Sequence, residues 1–417
     1  MELRVKPLGI VTIIGLVAVV VAIAWAISHK LGEDKIISQV DPTKDISGEV
    51  LFATSKTKKD WLDQQSEIFN KEYANQGVRV VIEYGETRDS YQDIINGKKK
   101  VALWGPSSTQ WIGALGNYWK IQKHADLFDV GRPEEYKIYL KTPMVFLTTR
   151  EKATFLRQQL AVPGKTLDNL RALSTGKTVC PWGKFKYSYA DPINAGSGFT
   201  MLSMIITDFS GKHPDLGSTD KVVVSKPFKD YIKDLNTSYV YDEASFKGSS
   251  DLVKSFVADP SRYDFIYTYE SNALKEAIKN PDFVVIYPNP TMTTDMSIVA
   301  FTGAPWLSPE QKKGAKLFMQ FLGERSAMEA GVQTAFRTAS PIPGVSLNTE
   351  LKKVATQGFQ ESFIAAELPS YEPVNEAAAQ WRGLTKTPPE VLALMKEKEA
   401  GGQPQAKVAA TPLATIR

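Results

Sequence analysis

The sequence predicts an α/β protein whose body contains two domains of the same class, each built on a mostly parallel sheet. Two observations lead to this prediction. Short apolar runs alternate with amphipathic segments from about residue 48, and a second series of the same kind follows from about residue 144. Strands that alternate with helices favour parallel sheets with helices on both faces. A length of 417 residues with 43% hydrophobic positions leaves room for about two or three domains.

The first series consists of three strand-and-helix pairs. GEVLFATS (48–55), VRVVIEYG (78–85) and KKVALWGP (99–106) have the composition of short strands. DWLDQQSEIFNKEYANQG has apolar residues at helical spacing before a terminating Gly77, and SYQDIING is a shorter helix. SSTQWIGALGNYW starts a third helix, with Ser107 or Ser108 as a good N-cap.

The second series starts with a predicted strand, MVFLTTR at 144–150, and a helix, TLDNLRALS. It continues with the strand FKYSYADP, the helix GSGFTMLSMIITDFSG, the strand RYDFIYTYE, the helix SNALKEAIKN and the strand DFVVIYP. TTDMSIVAFTG adds a strand, and residues 307–333 have the pattern of one long amphipathic helix that starts at Ser308 and Pro309. Beyond about Lys386 the low aromatic content predicts a largely disordered tail with one short helix at most.

Residues 8–28, LGIVTIIGLVAVVVAIAWAIS, carry no charge and are long enough to cross a bilayer as a helix. We therefore predict a membrane anchor in residues 1–30 and a polar spacer in residues 31–47. A removable signal peptide is the competing interpretation because the span contains small-x-small cleavage spacing, although its apolar stretch is longer than usual. Basic residues flank the span almost equally, so charge alone does not give its orientation.

Composition and motifs argue against several functions. The net charge of +4 comes from 50 basic and 46 acidic residues without a long basic block, so no nucleic-acid partner is predicted. The three histidines lack the spacing of a metal site, and neither a nucleophile elbow nor a Walker loop is present. We predict no enzyme activity and no cofactor. The single cysteine, Cys180, is predicted to be a buried thiol, too far from the N-terminus to carry a lipid anchor.

Candidate ligand-binding residues lie where the predicted strands end and the next helix begins. In open α/β sheets ligands bind outside the carboxyl ends of strands, and helix N-termini offer unpaired N–H groups with a partial positive charge. Four such ends carry hydroxyl, glycine or basic residues: Ser55 and Lys56, Gly85 to Arg88, Ser107 and Ser108, and Gly196 to Gly198. For any single one of them, ordinary helix capping and tight turns are the competing interpretation.

The order of several segments resembles a known family. VLFATSKTKKDWLDQQSEIFNKE, ALWGPSSTQWIGAL and ADPINAGSGFTML follow one another as in the bacterial extracellular solute-binding proteins of the type II periplasmic-binding-protein fold. DMSIVAFTGAPWLSPEQKKGAKLFMQFL and FRTASP are similar to the segment with which that family returns to its first lobe. The resemblance covers about residues 48–343, while the long N-terminal span and the absent lipid cysteine depart from the commonest anchored forms.

The resemblance implies two lobes joined by two crossovers, with a ligand trapped between them by hinge closure. Its boundaries would be 48–143 for the first part of lobe 1, 144–294 for lobe 2, 295–382 for the return to lobe 1 with its closing helices, and 383–417 for a low-complexity tail. By residue, the family's ligand-contacting positions correspond here to Ser55, Lys56, Ser107, Ser108, Ser197, Gly198, Tyr269 and Glu270.

The implied function is capture of a small anionic or zwitterionic ligand for an ABC-type permease by a single-pass membrane protein whose body lies outside the cytoplasm. Hydroxyls beside a helix N-terminus suit an oxyanion or a carboxylate. Glu270 and Asp191 could instead receive an ammonium group. A ligand sensor or accessory subunit that uses the same cleft is the alternative function. A membrane-anchored hydrolase is a third, which the scarcity of histidine disfavours.

Overall fold

The structure is a computed structural model that describes residues 48–343, 345, 351 and 353–400. These residues belong to one unit of the chain. The predicted anchor (1–30) and spacer (31–47) lie outside the described residues, so the membrane span stays a prediction. No helix in the described part of the chain is long and apolar enough to cross a bilayer.

Strands and helices alternate along the described chain, and β1, β2 and α5 have the predicted bounds. The strands are β1 (Gly48–Ser55), β2 (Val78–Gly85), β3 (Leu103–Gly105), β4 (Tyr136–Thr149), β5 (Tyr187–Tyr189), β6 (Phe265–Tyr269), β7 (Phe283–Ile286), β8 (Thr291–Ala300), β9 (Arg337–Thr338) and β10 (Ala365–Ala366). The helices are α1 (Lys59–Glu72), α2 (Thr87–Ile95), α3 (Thr109–Lys123), α4 (Arg150–Leu160), α5 (Thr166–Ser174), α6 (Gly196–Lys212), α7 (Thr219–Val224), α8 (Lys226–Asn236), α9 (Glu243–Lys247), α10 (Ser249–Ala258), α11 (Glu270–Lys279), α12 (Pro309–Leu322), α13 (Arg325–Gln333), α14 (Tyr371–Trp381) and α15 (Pro389–Ala400).

The strands form a mixed sheet, so the prediction of mostly parallel sheets is wrong. The strand order is β2-β1-β3-β8-β4-β6-β5, with β7 and β9 also paired to β4 and β10 paired to β8. β1 is parallel to β2 and β3, and β5 is parallel to β6. β4, however, is antiparallel to β6, β7 and β8. β4 and β8 run through the middle of the sheet in opposite directions.

β4 starts eight residues before the predicted strand at Met144, at Tyr136. Its first half, Tyr136–Pro143, pairs with β8, and its second half pairs with β6 and β7. Lysines and a proline interrupt the first half, which therefore lacks the composition of a core strand. The long strand joins the two parts of the sheet, which correspond to the two lobes.

The helix predicted over residues 307–333 is two helices, α12 and α13. The break falls at Gly323, where a Cβ would collide with the Lys137 ammonium group, and Glu324 takes an extended conformation before α13 begins. At the start of α12, Ser308 and Gln311 form a reciprocal capping box with Pro309 in the first turn, as the sequence predicts.

The C-terminal strap, residues 365–400, runs across both lobes. The Pro369 carbonyl accepts a 2.7 Å hydrogen bond from Gln110 on α3. The Tyr371 ring packs against Trp111 on α3 and Phe199 on α6, with centroids 4.8 and 5.8 Å apart. Trp381 is fully buried beside the tyrosines of the second lobe. The strap is therefore a third connection between the lobes, in addition to β4 and β8.

Residues 389–400 of the predicted tail form α15, the one short helix that the prediction allowed. Val391 is fully buried, and Lys398 Nζ lies 3.2 Å from Asp89 Oδ2 on α2 and 3.4 Å from Asn194 Oδ1 before α6. These contacts stabilise a helix whose composition alone is too polar to suggest packing. The remaining tail, 401–417, lies outside the described residues.

Candidate ligand-binding site

A cleft lies where the chain leaves β1, β2 and β3 and faces the first turns of α6 and α10. The space enclosed between its walls is small, ≈ 20 Å³, about what one water molecule needs, and the cleft is open to solvent at its rim. The cleft is lined by Ser55, Lys56, Thr57, Glu86, Thr87, Ser107, Gly196, Lys247, Gly248, Ser249, Ser250, Asp251 and Tyr269. Both lobes contribute, and most of the lining side chains are polar, so a hydrated solute would find hydrogen-bond partners on each side.

Three helices begin at the wall of this cleft. The first residue of α2 (Thr87), of α6 (Gly196) and of α10 (Ser249) each line it. No side chain caps the N-terminus of any of the three. The leading N–H groups of a helix lack partners within the helix and carry a partial positive charge. The arrangement therefore suits a negatively charged ligand.

Ser107 places an unpaired hydroxyl in the cleft. Its side chain is buried, with the residue 4% exposed, and its Oγ has no hydrogen-bond partner among the described residues. The Ser107 backbone N–H donates to Thr87 Oγ1 at 3.0 Å, which fixes its position. A Cβ at Gly196 would collide with Ser107 Oγ, so only glycine lets the start of α6 approach this closely. A buried hydroxyl without a partner costs free energy that a ligand could recover.

Tyr269 closes the cleft from the second lobe. Burial raises the pKa of its hydroxyl, which is close to Thr57 and Ser107 but does not meet Ser107 Oγ with hydrogen-bond geometry. The neutral phenol is therefore the form present at physiological pH, and it can donate a hydrogen bond.

Two acids and two bases line the rim. Lys56 Nζ lies 3.8 Å from Glu86 Oε1, and Lys247 pairs with Glu243 outside the cleft. Burial raises the pKa of the Glu86 carboxyl to about 7, and the Lys56 ammonium group offsets this only in part. Glu86 reaches across to the loop before α10, where a Cβ on Gly248 would be 3.6 Å from its Oε1. Its charge therefore changes near neutral pH at the junction of the lobes.

A buried lysine, Lys58, supports the floor of the cleft. It is fully buried at the end of a short turn, Lys56–Lys58, and its Nζ donates to Ser55 Oγ at 3.1 Å, to the Gly105 carbonyl at 2.9 Å and to the Pro106 carbonyl at 2.6 Å. Burial lowers the pKa of this ammonium group to about 7. Nothing in the spacing of TSKTKKD indicates which lysine points inward, so the sequence does not predict a buried lysine here.

A family model described as bacterial extracellular solute-binding protein matches residues 50–337, well over half of the chain. The chain belongs to this family. The family that the sequence resembles is therefore confirmed. A search of curated protein sequences gives no significant match.

Solved structures of other solute-binding proteins confirm the two-lobed α/β fold. A periplasmic thiamin binding protein is similar with a TM-score of 0.58 and 11% identity, covering 82% of this chain and 97% of that chain. Iron-bound HitA from Pseudomonas aeruginosa has a TM-score of 0.54 and 10% identity, with 81% and 99% covered. The sulfate-binding protein SubI from Mycobacterium tuberculosis has a TM-score of 0.51 and 15% identity, with 81% and 99% covered. At such low identity the likeness shows the fold alone.

The cleft of this solute-binding protein is lined by residues from all four predicted strand ends and by Tyr269, which the resemblance implies: Ser55, Lys56, Glu86, Thr87, Ser107, Gly196 and Tyr269. The lining also includes Thr57 and residues 247–251, which lie outside the predicted strand ends. Residues 247–251 join the short helix α9 to α10 with no strand before them, so proximity to a strand end does not indicate them.

Other selected residues lie behind the wall of the cleft. Ser197 Oγ is 2.5 Å from Ser249 Oγ, so it supports a lining residue. Gly198 allows α6 to approach the chain, because a Cβ there would collide with the Ala190 carbonyl. Ser108 is buried at the start of α3, with its Oγ 3.3 Å from Gln110 Oε1. None of the three lines the cleft, and a direct ligand role for them has no support in this geometry.

Arg88 also lies outside the cleft lining. Its guanidinium group stacks over Trp111 at 5.3 Å, and its Nε and Nη2 are buried without a hydrogen-bond partner among the described residues. Burial lowers its pKa, with partial compensation from Tyr371 and Asp191. The side chain faces the C-terminal strap, on the other side of α2 from Thr87.

Glu270 and Asp191 are not available to receive an ammonium group. The fully buried Glu270 accepts two hydrogen bonds from Arg337, at 2.8 and 2.6 Å, and a third from the Tyr287 hydroxyl. Asp191, also fully buried, lies 2.9 Å from Arg382 Nη2 and accepts from the Tyr241 hydroxyl. The prediction that they contact a cationic group of the ligand fails because both carboxylates are already neutralised inside the protein.

Proposed function

We propose that this solute-binding protein captures a small oxyanion in the cleft, outside the cytoplasm, and delivers it to an ABC-type permease while tethered by residues 8–28. The observation that carries the proposal is the meeting of three uncapped helix N-termini with the unpaired Ser107 hydroxyl. Such a set of hydrogen-bond donors, with no acceptor of its own, stabilises a negatively charged ligand. The family supports the extracellular location, and the apolar N-terminal stretch supports the tether.

The lining contains few groups suited to other ligands. Each of its two carboxylates has a lysine partner: Lys56 lies 3.8 Å from Glu86, and Lys254 lies 3.6 Å from Asp251. In the described part of the chain, no three side chains of the histidine, cysteine or acidic type are placed to hold a metal ion. Aromatic side chains, which would stack on a ring such as that of thiamin, are represented in the lining only by Tyr269.

The experiment that tests the proposal is a ligand screen on the full-length protein in detergent. Thermal melting is measured with sulfate, molybdate, phosphate, ferric citrate, thiamin and a set of amino acids, because a ligand that binds the native state raises the melting temperature. We expect stabilisation by at least one oxyanion. Stabilisation by thiamin or an amino acid alone would contradict the proposed ligand class. A reporter fused to the C-terminus tests the location, and a cytoplasmic signal would contradict delivery to a permease.

Substitution of Ser107 by alanine should weaken oxyanion binding about tenfold or more, because a hydrogen bond to a charged ligand contributes about 1.5–3 kcal/mol. Calorimetric titration measures the affinity. Ser297→Ala is the matched control, since Ser297 Oγ is likewise buried without a partner among the described residues but lies on β8 and does not line the cleft. Equal affinities for Ser107→Ala and wild type, with a lowered melting temperature, would show that Ser107 serves the fold only.

A further inference from the structure

Lys58 lies one hydrogen bond away from the cleft. Its Nζ donates to Ser55 Oγ at 3.1 Å, and Ser55 lines the cleft. It also donates to the carbonyl of Pro106, the residue before Ser107, at 2.6 Å. All three acceptors are neutral, and no carboxylate among the described residues forms an ion pair with it. A buried ammonium group without a counter-ion is costly, and an anion near it would reduce that cost.

We propose that Lys58 determines the preference of the site for an anion, and that the Lys58 amine takes up a proton when an anion enters the cleft. The inference rests on the proposed function. Lys58 does not touch the ligand in this arrangement, because Ser55 and the 105–106 carbonyls lie between them. It acts through charge, at short range and in surroundings where water screens it weakly.

The state of Lys58 before binding makes the proton uptake measurable. Burial lowers its pKa from the usual 10.5 to about 7, so near and above neutral pH much of the amine is unprotonated. A bound anion favours the ammonium form and raises this pKa. The proton comes from the buffer and forms a fourth bond on the amine nitrogen. Anion affinity should therefore be highest below about pH 7 and should fall as pH rises.

Other titratable groups surround the cleft and must be separated from Lys58. Those that line it are Lys56, Glu86, Lys247, Asp251 and Tyr269. On α1, Asp60 in the first turn pairs with Lys275 at the surface. Glu86 matters most, because its pKa is about 7 and an anion would also favour its protonated form. Glu86→Gln removes that contribution and leaves Lys58 in place.

The experiment is calorimetric titration of the full-length protein with sulfate, which keeps its charge throughout the neutral range. Titrations in two buffers of different ionisation enthalpy, at about pH 8, give the number of protons taken up. Wild type, Glu86→Gln, Lys58→Gln and Lys56→Gln are compared. If molybdate, which also keeps its charge there, is the oxyanion that binds, it replaces sulfate.

We expect Glu86→Gln still to take up a substantial fraction of a proton per anion. Lys58→Gln should lower affinity about tenfold or more at about pH 6 and reduce the uptake, while Lys56→Gln should keep the uptake. Should Lys58→Gln fail to fold by circular dichroism, Glu86→Gln decides alone: anion binding without proton uptake overturns the role of Lys58 and leaves the anion cleft intact. Absence of any oxyanion binding to wild type refutes the proposed function, and the inference with it.

Discussion

Replacing Arg337 by methionine is expected to lower the free energy of unfolding by about 3–5 kcal/mol, because it leaves a buried carboxylate without its counter-ion. Glu270 is fully buried, and Arg337 Nε and Nη2 donate to it at 2.8 and 2.6 Å. Arg337 also donates to the Glu361 carbonyl at 2.7 Å, so the substitution leaves a further acceptor unpaired. Urea unfolding followed by circular dichroism measures the loss.

A surface ion pair of the same kind gives the control. Arg325 pairs with Glu329 one turn along α13 at 2.7 Å, and its side chain is 62% exposed, so Arg325→Met should cost less than about 0.5 kcal/mol. The double variant Glu270→Met with Arg337→Met should regain much of the lost stability, since it removes both charges together. A loss below about 1 kcal/mol for Arg337→Met alone would mean that Glu270 is solvated or protonated after the substitution.

Substitution of Trp381 by alanine is expected to lower the free energy of unfolding by about 3–5 kcal/mol, because it leaves a cavity. Trp381 is fully buried, and its ring lies 5.2 Å from Tyr241 and 5.6 Å from Tyr239 between centroids. Its Nε1 donates to the Tyr189 hydroxyl at 2.8 Å. Because these tyrosines belong to the second lobe, the loss should also release the C-terminal strap, which limited proteolysis detects as early cleavage after about residue 360.

Two matched variants identify the cause of the loss. Trp381→Phe keeps most of the ring packing and removes the hydrogen bond. The lost hydrogen bond should lower the free energy of unfolding by about 1 kcal/mol, in addition to the loss caused by the smaller side chain. Leu392→Ala alters a 45% exposed side chain on α15 of the same strap and should leave the melting temperature nearly unchanged. A wild-type melting temperature for Trp381→Ala would show that the strap does not contribute to the folding of the second lobe.

The sequence predicts those strands whose own composition marks where they begin and end. The bounds of β1 and β2 agree with the prediction because the continuous apolar run of β1 ends before Ser55 and the alternating apolar residues of β2 end before Gly85. The first half of β4 was missed because its pairing with β8 comes from tertiary structure, not from its composition. That pairing also makes the sheet mixed, and strand direction cannot be deduced from alternation of strands and helices alone.

The site was predictable to the extent that strand ends indicate it. Ser107 was selected because a hydroxyl follows the third strand, and it does line the cleft. The family resemblance implies a ligand role for Glu270 after the end of β6, but its side chain turns inward to Arg337. Lys58 shows the opposite error, since a lysine in a polar turn is expected at the surface and here is fully buried. Side-chain direction in loops depends on contacts that sequence spacing does not contain.

The C-terminal strap bears on how fast the protein can exchange its solute. Tyr371 touches both Trp111 and Phe199, so separating α3 from α6 must break one of these contacts. The contacts stabilise the closed form whether or not a ligand is inside. Where the empty protein is closed as well, capture and release require the same opening, so both are slowed and the equilibrium affinity changes little. The occupancy then follows the outside concentration averaged over the opening time, and brief fluctuations in supply leave it unchanged.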